Sequence, residues 1–226
     1  MSDLHGDRRK SAVVDTNALE WQASPASGVW RKRLELVGDT EKGMVTSIVR
    51  FDPGCGFPVH DHPLGEEVLV LDGVFADEFG SYPKGSFTLL PTGSRHQPQT
   101  ETGCTLLVKL CQYPGAERPT RRVDTTDADG WHETGPGRQR FTVFDEPGYP
   151  ETIYLSRLAP GAKVPHHVHE GGEEVFVIEG EISDENGSYP AGTWFRLADG
   201  TAHAPKSEGG CLLYVKNGHL PRQQEA

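Results

Sequence analysis

Hydrophobic positions along the chain come in short runs without helical spacing. Two of the runs are nearly the same: EEVLVLDGVF at 66–75 and EEVFVIEGEI at 173–182. Both are β-rich and break at a glycine. SFTLLP and TWFRLA each follow a Tyr-Pro-x-Gly turn, and CTLLVKL and CLLYVKN close each set. Apolar runs of about four to eight residues between Gly/Pro turns predict an all-β sandwich or barrel. Only the N-terminal dozen residues hint at a helical period. The 27 glycines and 17 prolines among 226 residues supply turns at the density this pattern needs.

The similarity of the runs is part of a long internal repeat. His60 recurs as His167, His62 as His169, Glu66 as Glu173, Gly73 as Gly180, His96 as His203 and Cys104 as Cys211, always 107 residues on. The tetrapeptide Gly-Ser-Tyr-Pro at 80–83 returns at 187–190. Upstream, Arg31 and Arg33 match Arg138 and Arg140 at the same spacing. The expected organisation is an N-terminal extension (1–29), a first barrel (30–110), a Pro/Gly-rich linker (111–137) and a second barrel (138–220). Both chain ends read as tails or edge coverings.

Composition narrows the function classes. A formal net charge of −11 without a basic cluster argues against nucleic acid and against an anionic membrane surface. No apolar run approaches the roughly 18 residues of a membrane span. The first residues lack a secretory apolar stretch, and Cys55, Cys104, Cys111 and Cys211 form no CxxC pair. Reduced thiols and a cytoplasmic location are the expectation. Cys104 and Cys211 fall inside apolar runs and read as packing residues.

Six of the ten histidines fall in two copies of one pattern, each with a glutamate at the same distance, which argues against scattered surface residues. Two histidines separated by one residue on a strand point to one face. A glutamate just past a tight turn returns to that face, and a third histidine some thirty residues on closes the set. The sets are His60, His62, Glu66 and His96, then His167, His169, Glu173 and His203. Three imidazoles and a carboxylate can hold a divalent ion. The set could staple the fold, but structural zinc prefers thiolates. Fe²⁺, Mn²⁺, Ni²⁺, Co²⁺ or Zn²⁺ suits it, iron or zinc foremost, one per barrel, and an ion preferring six ligands keeps positions open.

These motif pairs, with the wording HxHxxGEEVLVLDG…DEFGSYPKGSF…PTGSRH, resemble the two signature motifs of the cupin superfamily and, more closely, the ChrR-type cupin domain. The resemblance spans most of residues 30–216 and implies a bicupin of two double-stranded β-helix (jelly-roll) barrels. The cupin ligand set carries over onto the same eight residues. Two departures touch surrounding positions: Ala198 stands where the motif has Pro, and Thr100 and Ser207 stand where it has Asn.

The resemblance implies a non-haem, dioxygenase-type enzyme acting on a small oxygen-bearing organic substrate chelated at the metal. The alternative is a metal-binding sensor or small-molecule-binding regulatory cupin without turnover. ChrR proteins carry an N-terminal His-x3-Cys-x2-Cys zinc motif, absent here, so sigma-factor binding is not expected. Exposed barrel edges predict a homodimer. Glu67 and Glu174 should point away from the site, as solvated or cross-strand ion-paired residues. His166 is out of phase and reads as a surface or neighbouring residue. Arg95 and Arg196 could meet an anionic substrate group or form surface ion pairs. Phe87, Trp194 and Phe195 read as pocket walls or packing, and Tyr82 and Tyr189 as turn packing.

Overall fold

The computed structural model describes residues 3–39, 42–113 and 118–223. The chain folds as two units, Met1–Gly6 with Leu19–Thr126, and Asp7–Ala18 with Asp127–Ala226. Among the described residues every strand pairing is antiparallel. In the first unit the large sheet runs Arg121–Asp124, Ser86–Leu90, Glu66–Asp77, Cys104–Leu110, Met44–Phe51, Val29–Val37, Gln22–Ala23, and Gly80–Pro83 folds back on Glu66–Asp77. His60–His62 pairs with Ser94–His96 as a separate ribbon. The second unit repeats this order with Ala12–Asp15, Thr193–Leu197, Glu173–Asp184, Cys211–Asn217, Thr152–Leu158, Arg138–Asp145 and His132–Gly135, and with a ribbon of His167–Val168 on Ala202–His203. The all-β expectation holds. Among the described residues only Thr16–Ala18 and Ala128–Gly130 are helical, as single 3₁₀ turns, so the helical hint near the N-terminus is not realised.

Each barrel has its own apolar interior. Val68, Val70, Phe75, Cys104, Leu106 and Val108 cluster in the first, and Val175, Val177, Ile182, Cys211, Leu213 and Val215 in the second. The two buried cysteines are packing residues, as their apolar runs predict. Within the long strand, alternation sends Val68 and Val70 inward. Pairing with Cys104–Leu110 then skips Leu71, a β-bulge that inverts the alternation, so that Phe75 also faces inward. Ile178 is skipped in the same way in the second unit. The glycine after each bulge is obligatory. Gly73 and Gly180 have φ of 72° and 74°, and a Cβ there would collide with the carbonyl oxygens of Gly103 and Gly210.

The segment preceding each repeat completes the other repeat's sheet. Ala12–Asp15, ahead of the first repeat, pairs with Thr193–Leu197 of the second unit. Arg121–Asp124, within the stretch that reads as a linker, pairs with Ser86–Leu90 of the first. The attachments match: Thr16 Oγ1 donates to Gly192 O at 2.6 Å, and Thr125 Oγ1 donates to Gly85 O at 2.6 Å. Strand register also corrects the upstream repeat. Arg31 lies opposite Val49, and Arg140 lies opposite Ser156, which is Val49 advanced by 107. Arg31 therefore corresponds to Arg140, not to Arg138. The turn joining these two strands is what changed length between the repeats.

Candidate metal centre

The ribbon and the long strand bring each predicted set together. His60 and His96 are direct partners across the ribbon, as are His167 and His203. In each unit the three histidines offer ring nitrogens that lie within 4.8 Å of one another. The ring centroids are 4.7, 5.4 and 4.9 Å apart in the first unit and 4.7, 4.9 and 4.8 Å apart in the second. Glu66 Oε2 comes to 3.5 Å from His62 Nε2 and 3.3 Å from His96 Nε2. Glu173 is looser, 3.7 Å from His203 Nε2 and 3.8 Å from His169 Nδ1.

Five atoms of these sets are buried and, among the described residues, unsatisfied. His62 Nε2, Glu66 Oε2, His96 Nε2, His169 Nε2 and His203 Nε2 make no hydrogen bond. Each such group costs about 1–3 kcal/mol if left unpaired. A divalent cation at their convergence would satisfy the lone pairs together, so both histidine triads, each with a glutamate beside it, fit a metal ion.

Neighbouring groups orient the rings. His60 Nδ1 donates to Pro58 O and His167 Nδ1 to Pro165 O, both at 2.9 Å, which leaves Nε2 as the free lone pair. His96 Nδ1 lies 3.2 Å from Asp77 Oδ2, and His203 Nδ1 lies 2.9 Å from Asp184 Oδ2. Tyr82 Oη donates in turn to Asp77 at 2.9 Å, and Tyr189 Oη to Asp184 at 3.3 Å. A carboxylate behind a histidine fixes its tautomer and raises its basicity as a ligand. The sequence reading missed Asp77 and Asp184 and took the tyrosines for turn packing. The recurrence of Asp77 as Asp184 at the repeat spacing was the available signal.

Burial and charge set the titration of the sites. Burial pushes the Glu66 carboxyl up, but His62 and His96 outweigh it and hold the group below its ordinary value. Burial raises Glu173 to about 8, with Arg140 opposing. Burial, then His203 and His167, take His169 down to about 3, and burial also lowers His62 and His203. His96 rises, because Glu66 and Asp77 override its burial.

Both repeats match the ChrR cupin-like domain model, over residues 9–114 and 119–221. The chain belongs to the ChrR cupin-like family. Among solved structures this bicupin is similar to the Escherichia coli protein Ylba (TM-score 0.73, 14% identity, covering 98% of this chain and 95% of that one). It is also similar to salicylate 1,2-dioxygenase from Pseudoaminobacter salicylatoxidans (0.70, 13%, 94% and 82%). A third similar structure is the Bacillus subtilis oxalate decarboxylase OxdC (0.65, 14%, 91% and 76%), described with Mn(II) centres. At these identities the likeness shows the shared fold. No curated protein sequence matches the bicupin significantly.

Other sequence candidates fall outside the quartets. Glu67 and Glu174 do point away, but they are buried. Tyr113 Oη donates to Glu67; Trp194 Nε1 donates to Glu174 at 2.7 Å, and His219 Nε2 lies 3.2 Å from it. A solvated role is thereby excluded. Arg95 is exposed beside Asp61 at 3.7 Å. Arg196 is buried against the carbonyls of Lys10 and Asp7, at 3.1 and 3.2 Å, so neither arginine faces a metal site. His166 is exposed. Where cupins carry Asn, Thr100 Oγ1 donates to Val74 O and Ser207 Oγ to Glu181 O, both at 2.6 Å, pinning the ribbon end to the long strand. Among the described residues no helix is long and apolar enough to cross a membrane.

Proposed function

We propose that this bicupin is a metal-dependent enzyme of the non-haem oxygenase type. On this reading each quartet holds one divalent ion, and a small oxygen-bearing organic substrate is chelated in a barrel. The observation that carries the reading is the convergence of three histidines in each unit, with buried, unsatisfied ring nitrogens and a buried glutamate beside them. His60, His62, Glu66 and His96 would hold one ion, and His167, His169, Glu173 and His203 the other. A bound ion of this kind supplies Lewis acidity and, if redox-active, a route for dioxygen chemistry. The protein's own part is positional. Pro58 O and Asp77 orient His60 and His96 so that Nε2 faces inward. Val68, Phe75 and Val108 give the cavity beside the quartet an apolar wall. The likeness to a dioxygenase supports this reaction class, and the likeness to a decarboxylase keeps lyase chemistry on the same site as the second outcome.

Elemental analysis of protein purified without added metal tests the first step, with two ions per chain expected. His60→Ala and His167→Ala should each remove one of them. Oxygen-electrode assays of the Fe²⁺-loaded protein with β-diketones, hydroxyacetophenones and hydroxy acids test the second. Full metal loading without oxygen uptake across that panel would move the assignment to a non-oxidative reaction or to a sensor.

A further inference from the structure

The two metal sites open onto very different spaces. The cavity beside His60, His62 and Glu66 measures about 700 Å³, and the one beside His167, Glu173 and His203 about 200 Å³. Small-molecule cavities run from about 300 to 1,000 Å³, so the first is of ligand size and the second is below it. Two aligned positions differ, beside an arginine that both barrels share. Ser47, Leu110 and Arg31 in the first barrel correspond to Tyr154, Asn217 and Arg140 in the second.

In the second barrel these three groups contact one another. Arg140 lies over the Tyr154 ring at 3.8 Å, and Asn217 Nδ2 donates to Tyr154 Oη at 3.1 Å. The first barrel has no tyrosine at that point. Ser47 is 3% exposed and lines the cavity, and its Oγ has no hydrogen-bond partner among the described residues. Arg31 lines the same cavity, its guanidinium 5.8 Å from the Phe57 ring, within walls that include Val49, Phe51 and Leu106.

We propose that the first barrel alone takes an organic ligand, an apolar-bodied carboxylate, while Tyr154 and Arg140 narrow the second below the room such a ligand needs. The inference rests on the metal reading above and deepens it. Apolar walls take the ligand's body, and the quartet takes its chelating oxygens. The Arg31 fork takes an anionic group, as guanidinium does with carboxylates. Ser47 Oγ supplies a further polar contact.

The test uses the full chain loaded with Ni²⁺ and kept free of dioxygen, with the ions counted in each sample. Calorimetric titration with 3-hydroxy-2-naphthoate, a carboxylate with a neighbouring hydroxyl, is compared with 2-naphthol, which lacks the carboxylate. The expected result is one naphthoate per chain beside two ions, with naphthol at least tenfold weaker. Ser47→Tyr should weaken the naphthoate at least tenfold with both ions retained. Arg31→Gln should erase the preference for the carboxylate, and Tyr154→Phe should change nothing. If Ser47→Tyr loses the first barrel's ion, Arg31→Gln decides. Two naphthoates per chain, no naphthoate bound, or a carboxylate preference that survives Arg31→Gln would overturn the proposal while the ion count left the metal reading standing. An ion count of zero would overturn both.

Discussion

The Asp184 carboxylate holds His203 Nδ1 at 2.9 Å with one oxygen and the Tyr189 hydroxyl at 3.3 Å with the other. The backbone N–H groups of Asn186 and Gly187 also donate to it. Burial pushes the Asp184 carboxyl up, but His203 and these backbone donors hold it below its ordinary value. The group is therefore a permanent anion that locks the proton on Nδ1 and leaves Nε2 for an ion.

Asp184→Asn removes the charge while keeping the shape. Metal affinity at the second quartet should fall about 10–100-fold, the usual cost of losing a partner behind a metal-binding histidine. Asp77→Asn should do the same at the first. Competition against a chromophoric chelator measures both, and unchanged retention in either variant would remove that aspartate from the site.

The metal-free second unit should be most stable near pH 6.5. Folded Glu173 keeps its proton up to about 8 against an ordinary 4.5, so its ionisation erodes stability as pH rises through that window. Folded His169 stays neutral down to about 3 against an ordinary 6.5, so stability is lost as pH falls between those values. Burial takes His219 down to about 3 as well and also lowers His203, so the histidines outweigh Glu173 where the windows overlap and stability rises up to about pH 6.5. Melting of chelator-treated protein should therefore show a loss of about 2 kcal/mol from pH 6.5 to 8. Glu173→Gln should abolish that alkaline loss. A metal-free protein equally stable at pH 6.5 and 8 would contradict the assignment.

The exchanged edge strands predict crossed effects. Thr16→Val removes the 2.6 Å bond to Gly192 and should cost the second unit about 1 kcal/mol, although residue 16 precedes the first repeat. Thr125→Val removes the bond to Gly85 and should cost the first unit the same, although residue 125 precedes the second repeat. Hydrogen exchange at Thr193–Leu197 and Ser86–Leu90 reads the two cases apart. Each variant loosening the sheet of its own repeat would disprove the exchange.

Gly180→Ala asks whether the bulge is indispensable. A side chain at φ 74° facing the Gly210 carbonyl should destabilise the second unit by about 2–4 kcal/mol and release its ion first. Gly73→Ala should act likewise on the first. Thermal melts with metal release followed in parallel give the order of events.

The repeat, the all-β class and the members of both quartets could be read from the chain itself. Strand alternation and turn spacing are local properties, and a constant interval of 107 residues carries a whole arrangement from one half to the other. Glu66 could be placed beside His62 because only a tight turn separates them. Asp77 could not. It stands eleven residues from Glu66 on the same strand, an odd separation that strict alternation sends to opposite faces. The bulge at Leu71 reverses the phase and returns Asp77 to the histidines, and pairing with a strand some thirty residues away sets that bulge.

Tertiary structure decided the rest for the same reason. Which barrel an edge strand completes, and which arginine answers Arg31, depend on register between distant segments. The contrast between an open and a narrowed cavity depends on Tyr154, Arg140 and Asn217 meeting across three strands. One chain therefore determines the members of its histidine and glutamate sets by their spacing and repetition. Long-range pairing decides how much room stands beside each set, because volume is a property of side chains that converge only when the sheet closes.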